Sequence, residues 1–358
     1  MTQRRSVLSG ALALVAGAAA PRFAAALPTS APSFVAAWDD DAGRHHLGVL
    51  DASGDALQVV ASIELPTRAH GLLIEPGGTV LAAARRPGDW LLRWAPRSGA
   101  ARWFWSEPDR RFTGHLLRES TGRWLYSAET DQQSGQGLIA LRDARTLVLR
   151  DEWATHGIDP HQFIVDADGS LLVANGGVPT LAETGRVRGE MARMDASLVR
   201  LDSRGGKRLG QWRLADPRLS IRHLARGVSG LVGLALQAEH DDPETKAGAP
   251  LLALFDGNAL RTVETPQPLA GYGGDIAATA SGFVVSAPRA GGVARWNADG
   301  RWAGFTAMAE ACSLVSSAGR VWAGGRSEAA DCGDDDAPRS VKRVALHLDN
   351  HWVLARQR

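Results

Sequence analysis

The sequence predicts an all-β protein, a seven-bladed β-propeller of four-stranded antiparallel blades. Two observations carry this. A unit of apolar strand, glycine turn and apolar strand recurs six times, each time followed by a further strand pair around a polar turn. No run with helical periodicity reaches ten convincing residues. The best helical candidate, Leu181 to Ala196, reads as a long insertion within a blade. The 358 residues suit one large β domain, and 40 Gly with 12 Trp suit many tight turns and half-buried pleated surfaces.

In chain order the units read RAHGLLIEPGGTVLAAA from Arg68, GHLLRESTGRWLYSAE from Gly114, PHQFIVDADGSLLVANGG from Pro160, RHLARGVSGLVGLALQ from Arg222, GDIAATASGFVVSAP from Gly274 and ACSLVSSAGRVWAGG from Ala311. With its second strand pair, each unit has the size expected of a propeller blade. A seventh unit from Ser33 matches only strands two to four. The C-terminal VALHLDNHWVLAR is assigned to the last unit, and ring closure leaves two possibilities: one blade short, or strands paired from the two chain ends. A β-sandwich and an eight-bladed ring are the rival folds; seven visible units favour seven blades.

The N-terminus reads as a twin-arginine signal peptide over residues 1–26. Arg4 and Arg5 precede a short apolar run that ends at Ala24-Ala25-Ala26, a small-residue cleavage pattern. The propeller then occupies 27–358, and the expected location is the periplasm. No later segment has the length and apolarity of a membrane span. A net charge of +1 argues against nucleic acid as a partner. The two cysteines, Cys312 and Cys332, leave open a disulfide and a metal thiolate at Cys312.

The first strand of a propeller blade lines the central channel. Four consecutive units place a histidine at the same register of that strand: His70, His115, His161 and His223. The next two units place Asp275 and Cys312 there, and the following turn glycine comes seven or eight residues later every time. A ring of imidazoles suits zinc, copper, iron or nickel, with iron or copper expected here. Glu129 and Asp131 are the added metal-ligand candidates. His156, Asn175, Arg222, Gln237 and His240 are further residues expected near the mouth. The alternative is structural: a Gly-His pair before an inner strand, as at Gly114-His115, often ties neighbouring loops. The glycine clusters precede no helix, so they do not cradle phosphate, and there is no haem-attachment or nucleophile-elbow motif.

The blocks GHLLRESTGRWLYSAETD, HGIDPHQFIVDADGSLLVANGG and LSIRHLARG resemble a bacterial family of twin-arginine-exported, seven-bladed propellers of unknown function. Its members are usually encoded beside imelysin-type iron-regulated periplasmic proteins and a dihaem oxidoreductase-like protein. The resemblance implies these two as partners and iron acquisition as context. It points to His70, His115, Glu129, Asp131, His156, His161, Asn175, Gly176, Gly177, Arg222, His223 and Gln237. The stretch from Thr180 to Gly185 departs from the family's histidine-containing loop. Three functions follow: a metal-binding protein of iron acquisition, a metal-dependent hydrolase or oxidoreductase with Glu129 as base, or an interaction scaffold with structural histidines.

Overall fold

The computed structural model describes residues 32–180, 187–317, 320–332 and 339–356. The proposed signal peptide and most of the departing 180–185 loop lie outside these residues. The described chain forms seven four-stranded antiparallel sheets, as the repeat predicts. In chain order, blade 2 spans residues 69–105, blade 3 residues 110–158, blade 4 residues 160–212, blade 5 residues 219–263, blade 6 residues 276–307 and blade 7 residues 313–343.

Blade 1 settles the ring closure. Its outer three strands, Ser33–Asp39, His45–Asp51 and Gln58–Leu65, come from the N-terminal side. Its innermost strand is the C-terminal His347–Arg356, paired antiparallel to Ser33–Asp39. The assignment of this segment to the last unit is therefore corrected: blade 7 already has four strands of its own, ending at Arg339–Arg343. Apolar packing fixes the seam. Phe34 stacks on Trp352 at 4.4 Å between centroids and meets Trp322 of blade 7 edge-on at 5.5 Å. Such aromatic pairs add to the burial of large apolar faces.

The strands follow their position in the blade. Second strands such as Val80–Ala84, Leu171–Asn175 and Gly282–Ala287 are buried at every residue, because blades cover both faces, and they read as mainly apolar runs with an occasional buried polar residue such as Asn175 or Ser286. Outermost strands such as Ala101–Trp105 and Arg208–Trp212 are exposed or half-buried throughout. Among the described residues, α-helix is confined to Pro243–Gly248, N-capped by Asp242, and residues 187–196 hold one short 3-10 turn, Met191–Arg193, in place of the helix considered there. Among the described residues, no helix is long and apolar enough to cross a membrane.

Candidate metal centre

The innermost strands of five blades share one irregularity. In blade 2 the pairing jumps from Ala69↔Ala84 to Leu72↔Ala82, so His70 and Gly71 stand opposite one residue. In blade 3 it jumps from Phe112↔Glu129 to Leu116↔Ser127, which places His115 in the bulge. Blade 4 breaks between Pro160 and Phe163, around His161, and blade 5 between Ile221 and His223. Blade 1 breaks between Leu348↔Trp38 and Trp352↔Ala36, around His351. A bulge bends the strand and re-aims its side chains. Here it turns one histidine per blade to the axis.

Two glycines let these strands come close enough. Gly114 has φ +116°, and a Cβ there would lie 2.6 Å from His70 Cδ2. A Cβ on Gly71 would lie 2.0 Å from the Gly114 carbonyl oxygen. Neighbouring inner strands therefore pack backbone to backbone, which brings the two imidazoles within reach of each other.

The result is a closed ring of five imidazoles. Centroid separations run 4.5 Å from His351 to His70, 4.8 Å to His115, 4.8 Å to His161, 4.7 Å to His223 and 4.7 Å back to His351, with planes inclined by 61–80°. One ring nitrogen from each of His70, His115, His161 and His223 lies within 4.8 Å of the other three. The Nε2 atoms of His161 and His223 are 3.2 Å apart. Two ligands on one ion at 2.0–2.1 Å bond length and tetrahedral angle are about 3.3 Å apart, so this pair already has a ligand spacing.

All four of these histidines are buried. Burial, reinforced by neighbouring rings, holds their basicity well below that of a free imidazole. They are neutral at neutral pH and keep a lone pair for a metal. His70 Nδ1 and Nε2, His115 Nε2, His161 Nδ1, His223 Nδ1 and His351 Nε2 are buried without a protein hydrogen-bond partner. That many buried nitrogens without a partner are costly unless something satisfies them.

Asp275 supplies orientation. Its Oδ2 lies 3.2 Å from His351 Nδ1 and accepts the Leu314 amide at 3.1 Å; its Oδ1 accepts the Ile276 amide at 2.8 Å. A carboxylate accepts only, so Nδ1 of His351 is the donor to it, and Nε2 is the nitrogen left without a protein partner. Carboxylates paired with imidazoles in this way orient metal-binding histidines, and His223, Asp275 and His351 form a second close group. His351 escaped the sequence reading, although NHWVLA repeats the pattern of AHGLLI; its blade is completed from the far end of the chain.

The other expected residues are placed as follows. Cys312 is a free thiol that lines a separate small pocket with Glu310, Arg326 and His347; burial and Asp275 push it up to about 12, so it is protonated. Cys332 is a separate free thiol packed among Ala277, Val284 and Val321, so the two do not form a disulfide. Glu129 and Asp131 are not brought to the ring. Glu129 is buried in blade 3 against Arg142 (2.8 Å) and Ser127 (2.5 Å), and its carboxyl is pushed up by burial. Asp131 accepts the amides of Gln133 and Ser134 and pairs with Arg110 at 2.9 Å; these bonds hold its carboxyl below the usual range. His156 is exposed, in the left-handed region at φ 57°. Asn175 donates to the Thr155 carbonyl at 3.0 Å and Gln237 to the Gly273 carbonyl at 3.2 Å. His240 pairs with Asp216 at 3.0 Å, away from the ring. Arg222, beside His223, bonds Asp159 at 2.7 Å; Asp159, with φ 55°, had no signal in the repeat.

These bulged inner strands and their histidines fall within one family match. The chain belongs to the family of proteins of unknown function DUF1513, whose model matches residues 63–355. That span takes in all five histidines. None of the curated proteins matches the sequence. Among solved structures this DUF1513 chain is similar to a putative 6-phosphogluconolactonase from Bacteroides fragilis, at 12% identity and TM-score 0.61, over 91% of this chain and 98% of that one. It is similar to hydrazine synthase from Kuenenia stuttgartiensis, at 11% identity and TM-score 0.55, over 78% and 81%. It is also similar to the dihydro-heme d1 dehydrogenase NirN, at 13% identity and TM-score 0.56, over 94% and 77%. At such identities the likeness is one of fold.

Proposed function

We propose that this DUF1513 propeller binds one transition-metal ion on its ring of histidines, as a metal-binding protein and not as an enzyme. The observation that carries the proposal is the convergence of four buried, neutral imidazoles whose nitrogens lie within 4.8 Å of one another. An all-imidazole set favours copper(II) or iron(II) over the harder iron(III). The chemistry such an ion supplies is Lewis acidity or electron transfer; what this chain supplies is desolvated, oriented nitrogen donors, with Asp275 fixing the ring of His351. The enzyme reading needs a free acid or base beside the ion, and Glu129 is instead held by Arg142.

Export by the twin-arginine route, a periplasmic location and a role in iron acquisition beside an imelysin-type protein are part of the same proposal, supported by the N-terminal pattern and the family resemblance. Titrating copper(II) and iron(II) into metal-free protein purified without a histidine tag tests the binding. The wild type is expected to bind one ion, and His161→Ala to lose most of that affinity while remaining folded. Equal, weak binding by both proteins would favour structural histidines.

A further inference from the structure

The five imidazoles do not lie in one plane. His70, His161, His223 and His351 mark the corners of a near-square. Its edges run 5.5, 4.7, 4.7 and 4.5 Å between centroids, and its His70–His223 diagonal is 6.5 Å. The 4.5 and 4.7 Å edges and that diagonal enclose a right angle at His351. His115 stands nearly equally far from all four corners, at 4.8, 4.8, 5.3 and 5.3 Å. The middle of the square is only half a diagonal from its corners, so His115 lies over the middle and well out of the plane.

These separations can be compared with those that one ion imposes. An imidazole bound through nitrogen at about 2.0–2.1 Å has its centroid about 3.2 Å from the ion. Two such centroids are then about 5.2 Å apart at the tetrahedral angle, about 6.4 Å apart when opposite, and about 4.5 Å apart at a right angle. The 6.5 Å between His70 and His223 is the separation of opposite ligands, and three edges of the square are near the right-angle value. A tetrahedron of His70, His115, His161 and His223 needs six equal separations, and these run from 4.7 to 6.5 Å. The 3.2 Å between the Nε2 atoms of His161 and His223 falls between the tetrahedral and right-angle spacings of about 3.3 and 2.9 Å, so the ring separations decide. His351 is the fourth corner, and it is the ring that Asp275 orients.

Backbone conformation also separates the apex from the base. The residue before His115 is Gly114, at φ +116°. Ala69, Pro160, Arg222 and Asn350 hold that place in the other four blades. Glycine takes such a φ without strain, so blade 3 delivers its histidine from a different backbone conformation. The four apex separations all exceed the right-angle value, as a long axial bond requires.

We infer that the histidines form one square-pyramidal copper(II) site, with His70, His161, His223 and His351 as its base and His115 as its weakly held apex. The inference rests on the metal-binding reading. Zinc favours a tetrahedron, whereas a tetragonal nitrogen set suits copper(II) or nickel(II), of which copper(II) binds the tighter.

Electron paramagnetic resonance of the full chain loaded with one equivalent of copper(II), with affinities for His115→Gln and His351→Gln, tests it. The wild type is expected to give an axial spectrum, g∥ above g⊥, split by four equivalent nitrogens. His351→Gln should weaken copper(II) by about a hundredfold or more, at least the upper end of what losing an orienting carboxylate costs. His115→Gln should cost less than about tenfold and keep the axial spectrum. Thermal melts check that each variant is folded, and the wild-type spectrum tests the geometry without either. A tetrahedral-type spectrum, or a larger loss for His115→Gln than for His351→Gln, would overturn the inference and leave the metal reading intact. Binding of iron(II) without copper(II) would do the same. Failure of both ions to bind would sink both readings together.

Discussion

Five blades and two blades solve the same problem differently. In blades 1 to 5 the inner strand carries a bulge and a histidine turned to the axis. In blades 6 and 7 the inner strands, Ile276–Ala278 and Ser313–Ser317, pair in unbroken register, and the residues at the corresponding position, Asp275 and Cys312, precede the strand. The bulged blades present imidazole nitrogens, four of them on rings that burial keeps neutral. The regular blades present a carboxylate that steers one of those imidazoles and a thiol that stays protonated. Seven near-equivalent positions are thus divided between coordination and support, and the backbone irregularity marks the division.

The sharpest way to break the comparison is to block a bulge. Gly71→Ala would drive a Cβ into the backbone oxygen of Gly114. We expect a loss of about 3 kcal/mol or more in denaturant unfolding, together with loss of metal binding. An alanine at Gly291, a surface glycine with φ 73° and nothing within 4 Å of its added Cβ, is expected to cost only about 1 kcal/mol.

Acid gives the next largest effect. The folded-state pKa values of His70, His115, His161 and His223 lie below the unfolded value of 6.5. The unfolded chain therefore takes up protons first as pH falls. Their contribution to stability is intact above about 6.5 and is lost below it, at up to about 1.4 kcal/mol per pH unit for each histidine. Thermal melts of the metal-free protein from pH 7.5 to 4.5 should show this decline, and His161→Gln should make it shallower. A melting temperature flat through this range would contradict buried neutral imidazoles.

Asp275→Asn sharpens the roles of the two regular blades. The amide no longer dictates which nitrogen of His351 carries the proton, so metal affinity should fall by about 10- to 100-fold with the fold retained. Cys312→Ser is expected to change affinity by less than about threefold, since Cys312 belongs to neither group of side chains close enough to share an ion. A larger loss for Cys312→Ser than for Asp275→Asn would reverse the assignment.

The architecture was legible because each blade repeats its own local chemistry: an apolar inner strand, a turn glycine such as Gly122 or Gly169 with φ 75° and 82°, and a second strand buried on both faces. His70, His115, His161 and His223 were legible for the same reason, since a fixed distance to that glycine set their register. His351 was not, because its strand is completed by residues more than 300 positions away and no turn glycine follows it. Glu129 and Asp131 sit at the right height in sequence, but their surroundings decide their roles. Arg142 takes the first and the 133–134 turn takes the second. The Arg85–Asp349 and Arg222–Asp159 contacts join different blades and leave no trace in any local pattern.

The central claim is that one ion is held by imidazoles from the bulged strands. X-ray absorption at the metal edge of copper(II)-loaded protein tests it most directly. The account predicts a nitrogen shell near about 2.0 Å with the multiple scattering of at least four imidazoles, reduced by one in His161→Ala. A shell with fewer than four imidazoles, or one dominated by sulfur or carboxylate oxygen, would contradict it.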